Sequence, residues 1–184
     1  EMGFSSIRGI EPSLDAIKSA SEEIKEKIIS GMFDSSKFEN EKFDLISFFQ
    51  TFDHIVEPNK FLQDVRKILN DKGFVIAINH NIGSISYKFL KEKSPIIDIG
   101  HAYLYDFSTI KKIFEKNQFR VVKIFPVQNL ITLSRLLELL PINDRLKNVL
   151  SKIQNGLGIH KIQLPLYLGN LGIFARKSDL NMQD

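Results

Sequence analysis

The chain has 184 residues, 43% apolar and 26% charged, enough to bury a proper core and typical of one globular domain rather than a disordered or repetitive chain. Its formal charge of +3 comes from 25 basic and 22 acidic residues, and the lysines are scattered rather than blocked together, which argues against a dedicated nucleic-acid surface. Without cysteine there are no disulfides or thiolate metal sites, and with no visible leader or bilayer-length apolar run a cytoplasmic setting is expected.

In chain order, Ser5 to Glu11 reads as a strand, and Pro12 suits the first turn of a helix that carries Leu14, Ile17 and Ala20 on one face. Lys27 to Phe33 is a strand candidate, although "SEEIKEKII" also reads as a continuing helix; a polar loop, "DSSKFENEK", follows. Phe43 to Phe49, "FDLISFF", is a continuous apolar run, which predicts a central strand covered on both faces. Pro58 to Leu69 has helical spacing and ends in Asn70-Asp71-Lys72-Gly73, read as a turn with a glycine stop before the strand Phe74 to Ile78.

A variable stretch, Asn79 to Tyr105, leads to a helix from Ser108 to Asn117 with the serine as its cap, and "FRVVKIFPV" is the next strand. Leu130 to Asn155 reads as two helices broken at Pro141, and "LGNLGIFARK" closes the chain as a strand. Strands alternating with helices predict an α/β fold with a doubly wound, mostly parallel sheet, whose ligands bind at the carboxyl ends of the strands.

Glu11 ends the first strand just before a helix. An acid there can accept hydrogen bonds from a ribose, about twenty residues after a glycine-rich turn, or it can simply be a solvated carboxylate favoured by the helix dipole. Counting back from Glu11 runs off the start of the sequence.

The segment "FDLISFFQTFDHIVEPNKFLQDVRKILNDKGFVIAI", Phe43 to Ile78, resembles the strand-four to strand-five region of class I S-adenosylmethionine-dependent methyltransferases, with Asp53-His54 where that family has a Glu-His pair. "GIEPSLDAIKSA" is similar to the family's second strand and helix, and "HAYLYDFSTIKKIFEKNQFRVVKI" to its later helix and sixth strand, with Asn117-Gln118-Phe119 in place of a Gly-Phe approach. The family's first strand and glycine-rich loop have no counterpart, so a chain truncated at its N-terminus is expected. Since that strand lies mid-sheet in the family, exposed edges and a homo-oligomer are expected with it.

The resemblance implies S-adenosyl-L-methionine as cofactor. Glu11 would bind the ribose, Pro12 and Ser13 would shape the adenine side, Phe33 and Asp34 would contact adenine, and Phe49 and Gln50 would face the methionine part. Asp53 and His54 are open between loop architecture, a base and a metal site; Gln50 in place of a first carboxylate disfavours a metal, and none is expected. Asn79, Asn81, Tyr103 and Tyr105 are expected on the substrate side, with His80 and His101 as candidate bases for a small polar methyl acceptor such as a sugar or a related metabolite.

Residues 128–168 are expected to form a helical insertion before the last strand of a single domain spanning 1–184. Their leucines are most simply core-facing; a lid, a dimer surface and a seat for a hydrophobic substrate are the alternatives. A non-catalytic binding module on the same fold is the competing reading of function, and a nucleotide-sugar or nicotinamide enzyme is a third, opposed by the lack of a Tyr-x-x-x-Lys motif.

Overall fold

The computed structural model describes residues 3–38, 41–91, 94, 97, 99–140 and 142–178. The chain forms two compact units, Glu1–Glu41 and Lys42–Asp184.

In the first unit β1 (Gly9–Glu11) pairs in parallel with β2 (Ile28–Ser30), with Glu11 opposite Ser30. Both strands are shorter than their apolar runs, because pairing extends over only these three positions. Between them lie α1 (Leu14–Ser19), whose Ser13 cap accepts the Ala16 N–H, and the single turn α2 (Glu22–Lys25). The "SEEIKEKII" segment is thus both things, helix first and strand after. A 3₁₀ turn, Ser35–Phe38, follows and buries Phe38.

The second unit is a four-stranded sheet in the order β3 (Phe43–Phe49), β4 (Leu69–His80), β6 (Gln163–Lys177), β5 (Phe119–Thr132). β3 and β4 are parallel, and β6 runs antiparallel to both β4 and β5, so β3, β4 and β5 share one direction. The crossover from β3 to β4 is α3 (Pro58–Ile68); α4 (Ile85–Leu90) and α5 (Phe107–Lys116) lie between β4 and β5. Leu62 and Val65 of α3, Ile110 and Phe114 of α5, Val75 and Ala77 of β4, and Leu171, Ile173 and Ala175 of β6 are fully buried and make the core. The α/β architecture is therefore as the alternating pattern predicts, in a mixed sheet in which β3, β4 and β5 run one way and β6 runs against them.

Four local expectations are corrected. β3 is an edge strand of this sheet, and within the unit only one face is covered: Phe48 packs edge-on against Phe61 at 5.2 Å, while Leu45 and Phe49 are exposed. Apolar composition alone does not report which face is covered.

Asn70–Gly73 is not a turn but an irregular part of β4. Leu69 pairs with Phe43 and Phe74 with Leu45, so the intervening residues bulge from the ladder. Glycine is required there, since a Cβ on Gly73 would lie 2.7 Å from Leu69 Cγ. The cap of α5 is Asp106 rather than Ser108: its carboxylate accepts the Thr109 N–H at 2.8 Å while Thr109 Oγ1 accepts the Asp106 N–H at 2.8 Å, a reciprocal capping box.

Finally, the 128–168 segment is only partly helical. β5 and β6 run on into it as a paired ribbon from Asn129 to Thr132 against Gln163 to Leu166, carrying α6 (Leu133–Leu139) and α7 (Asp144–Gly156) at its end. Pro141, expected to break the two helices, lies outside the described residues.

Candidate functional site

The carboxyl ends of β3 and β4 lie side by side, because the parallel register sets Phe49 opposite Ile78. After Phe49 the chain turns sharply: Gln50 takes a left-handed φ of 50° while its N–H donates to the Ile78 carbonyl at 2.7 Å. A 3₁₀ turn, Phe52–His54, follows. Phe52 is buried against Phe48, Phe61, Phe114 and Tyr105, the last ring stacked at 5.1 Å, and this aromatic anchor fixes Asp53 beside the end of β4.

Asp53 is 1% exposed. Its Oδ2 accepts the His80 ring Nδ1–H at 2.6 Å and the His80 backbone N–H at 3.2 Å. The Asn79 side chain, also fully buried, donates to Oδ1 at 3.3 Å when its amide is oriented to satisfy both ends. Burial pushes the Asp53 carboxyl upward, but the hydrogen bonds it accepts from the His80 ring and backbone outweigh it and hold the group below its usual range. With Nδ1 engaged as a donor, the lone pair of neutral His80 is at Nε2. The result is a buried carboxylate orienting an imidazole that keeps partial exposure, 23% for the side chain.

The loop before α5 hangs on the same residue. The Asp53 carbonyl accepts the N–H groups of Ala102 at 2.8 Å and Tyr103 at 3.1 Å, and Asn81 makes an isolated parallel bridge to Tyr105. His54 Nδ1 lies 2.8 Å from the Gly100 carbonyl. His101 is thereby set between two other imidazoles, 4.6 Å from the His54 ring and 4.8 Å from that of His80. Tyr103 is exposed. Tyr105 is buried with its hydroxyl lacking a partner among the described residues, and burial, followed by the neighbouring Tyr103 and Asp53, pushes its pKa far up, so it stays a neutral phenol.

Asp53, His80 and His101 each offer a ligand atom within 4.8 Å of the others, so a cation could be held here. The short bond between Asp53 and His80 occupies His80 Nδ1 and Asp53 Oδ2 and leaves His80 Nε2 facing the open side of the group.

Of the residues singled out from sequence, Asp53, His54, Asn79, His80, Asn81, His101, Tyr103 and Tyr105 come together at this end of the sheet, and Gln50 opens the turn that leads there. Its side-chain Oε1 is buried without a partner among the described residues, and Phe49 beside it is exposed. Glu11, Pro12, Ser13, Phe33 and Asp34 belong to the first unit. There Glu11 follows the strand direction of β1 and accepts the Ser13 N–H at 2.8 Å, Pro12 joins them, and Asp34 accepts the Ser36 N–H at 2.9 Å next to Phe33. The pairing of Asp53 with His80 was not legible in the sequence; its signal is the β3–β4 adjacency, which places a residue of the post-β3 turn beside the last residue of β4.

Residues 1–124 match the family model described as a methyltransferase domain, and the chain belongs to that family. Among solved structures it is similar to a SAM-dependent methyltransferase from Archaeoglobus fulgidus, at 16% identity and a TM-score of 0.58, over 92% of this chain and 75% of that one. A SAM-dependent methyltransferase from Thermotoga maritima aligns at 17% identity and a TM-score of 0.53, over 92% and 72% of the two chains. The plantazolicin methyltransferase BpumL, solved in complex with a triazolic desmethyl analogue and SAH, aligns at 18% and 0.55, over 94% and 67%. No curated protein matches the sequence. The fold is the Rossmann-like methyltransferase fold, and the cofactor that goes with this family is S-adenosyl-L-methionine. Among the described residues no helix is long and apolar enough to cross a membrane.

Proposed function

We propose that this chain carries out methyl transfer from S-adenosylmethionine to a hydroxyl or amine of a small polar acceptor in the cytoplasm, with His80 as the general base. The observation that carries the reading is the buried Asp53 carboxylate holding His80 Nδ1 at 2.6 Å at the carboxyl end of β4. The cofactor supplies a methyl group on a sulfonium, already activated, so the acceptor's lone pair forms the new bond as the carbon–sulfur bond breaks and its electrons return to sulfur. His80 Nε2 takes the acceptor's proton, and Asp53 keeps the imidazole in the right tautomer and stabilises it once charged. His101 and Tyr103 orient the acceptor.

For the cofactor, Glu11 at the end of β1 would accept hydrogen bonds from the ribose, with Pro12, Ser13, Phe33 and Asp34 toward adenine. Gln50 supports the methionine end of this assignment: its buried Oε1 lacks a donor among the described residues, and an amine would provide one. The Gln50 backbone sits in a conformation that non-glycine residues adopt at a cost, as strand-end turns near ligands often do. No metal is assigned to the reaction, because the sulfonium donor is already activated and the acceptor's proton goes to His80 Nε2.

Calorimetric titration of S-adenosylhomocysteine, on the protein with whatever its gene places upstream of Glu1, tests the reading. Saturable binding that weakens in Glu11→Ala and Gln50→Ala, and turnover unchanged by a chelator, is the expected result. Absence of binding would instead support a non-catalytic module on this fold.

A further inference from the structure

We propose that α7 seats this protein on an anionic membrane surface. The helix "DRLKNVLSKIQNG" buries none of its residues. Leu146, Val149 and Ile153, followed one turn on by Leu157, form a single stripe at about 3.6 residues per turn, and their exposures are 44, 50, 51 and 67%.

What holds α7 in place is its polar side. Lys147 Nζ donates to the Glu138 carbonyl at 2.8 Å, and Gln154 Nε2 donates to the Leu133 carbonyl at 3.3 Å. Ser151 and Asn148 line the small cleft it shares with α6. A surface helix ordinarily buries its apolar stripe and shows water the polar one. Here the arrangement is reversed, and the apolar stripe is the face left for an occupant.

Charge selects the occupant. On the helical projection Arg145 and Lys152, both exposed, stand on one shoulder of the stripe, Lys147 is turned to α6 by its bond to the Glu138 carbonyl, and Asp144 lies on the opposite side at the helix start. Lysine and arginine flanking an apolar stripe can lay their stems on it and keep their charges at a headgroup layer, the pattern of a helix lying in a membrane interface. A second copy of the chain packed stripe to stripe would bring Arg145 and Lys152 toward their own counterparts, which like-charge repulsion opposes. An anionic lipid surface satisfies both the stripe and its cations.

The test is sedimentation of the full chain with vesicles of phosphatidylcholine alone and of phosphatidylcholine mixed with phosphatidylglycerol, alongside light scattering of the protein without lipid. Binding to the anionic vesicles should be stronger by roughly thirtyfold at low salt, from two cations, and fall as salt is added. Val149→Glu with Ile153→Glu should abolish binding to both. Arg145→Glu with Lys152→Glu should remove only the preference for anionic lipid. These side chains are exposed, so melting temperature should be unchanged and serves as the folding control. Equal binding to both vesicles overturns the proposal, as does no binding to either. So does a dimer that Val149→Glu with Ile153→Glu converts to monomer while lipid has no effect, since the stripe would then belong to a second copy.

Discussion

At the carboxyl ends of β3 and β4 the chain buries a carboxylate and surrounds it with donors, whereas on α7 it turns leucine, valine and isoleucine outward and polar side chains inward. Both regions depart from the rule that apolar groups go in and polar groups stay out. The first does so with the Asp53 carboxylate satisfied by His80, 27 residues away in sequence, so the burial of that carboxylate is complete within the fold. The second leaves its apolar stripe uncovered, and the missing half must come from outside. Departures of the first kind point to chemistry performed by the chain, and of the second kind to a surface it meets.

The sharpest way to break that comparison is to remove the imidazole that Asp53 orients. His80→Ala should lower methyl transfer, followed as S-adenosylhomocysteine production with a panel of polar acceptors, by roughly 100-fold to 10,000-fold. Binding of S-adenosylhomocysteine should be unchanged, since the base faces the acceptor. Asp53→Asn should retain the ring but misplace its proton, and lose somewhat less. If His80→Ala keeps its rate while His101→Ala loses it, the base has been assigned to the wrong imidazole.

Removing the carboxylate altogether tests the burial half of the comparison. Asp53→Ala leaves the His80 ring and backbone N–H, the Asn79 amide and a small void without their partner, and should cost about 2–4 kcal/mol of stability. Because Asp53 in the folded chain lies below its ordinary value of 3.8, its contribution is complete above that value and is lost as pH falls further. The melting-temperature gap between the natural chain and Asp53→Asn should therefore hold steady down to about pH 4 and narrow below it. A gap that widens on acidification would mean the carboxyl is not ionised in the fold.

How much of this was open to sequence reading depended on whether the determining contact was local. The β3 boundaries, Phe43 to Phe49, follow from an apolar run between polar segments, and α3 from its spacing and its proline. The α5 cap is local too, since Asp106-x-x-Thr109 has the capping-box spacing, while Ser108, a residue type that also caps helices, lies nearer the apolar periodicity. The bulge at Asn70–Gly73 is spelled like a turn because turns and bulges ask for the same residues; only the pairing of Leu69 with Phe43 decides between them. His80 could be named as a candidate from its place after an apolar strand. Its partner could not, because the Asp53 bond depends on the register between two strands and on the aromatic packing of Phe52, neither of which is written in any window of sequence.

A third departure from local preference has no site attached to it and should therefore be free to repair. Gln118, between α5 and β5, adopts a φ of 61° with its side chain exposed. Its backbone is used, with the Gln118 N–H donating to the Glu115 carbonyl at 3.0 Å and the Ser178 N–H to the Gln118 carbonyl at 3.1 Å, and glycine preserves both bonds. A left-handed non-glycine residue costs on the order of 1 kcal/mol, partly returned because glycine frees the unfolded chain. Gln118→Gly should then stabilise by about 0.5–1 kcal/mol and raise the melting temperature by about 1–4 °C, with methyl transfer and vesicle binding both unchanged. Stabilisation accompanied by loss of either activity would place Gln118 with the purposeful departures rather than with the incidental ones.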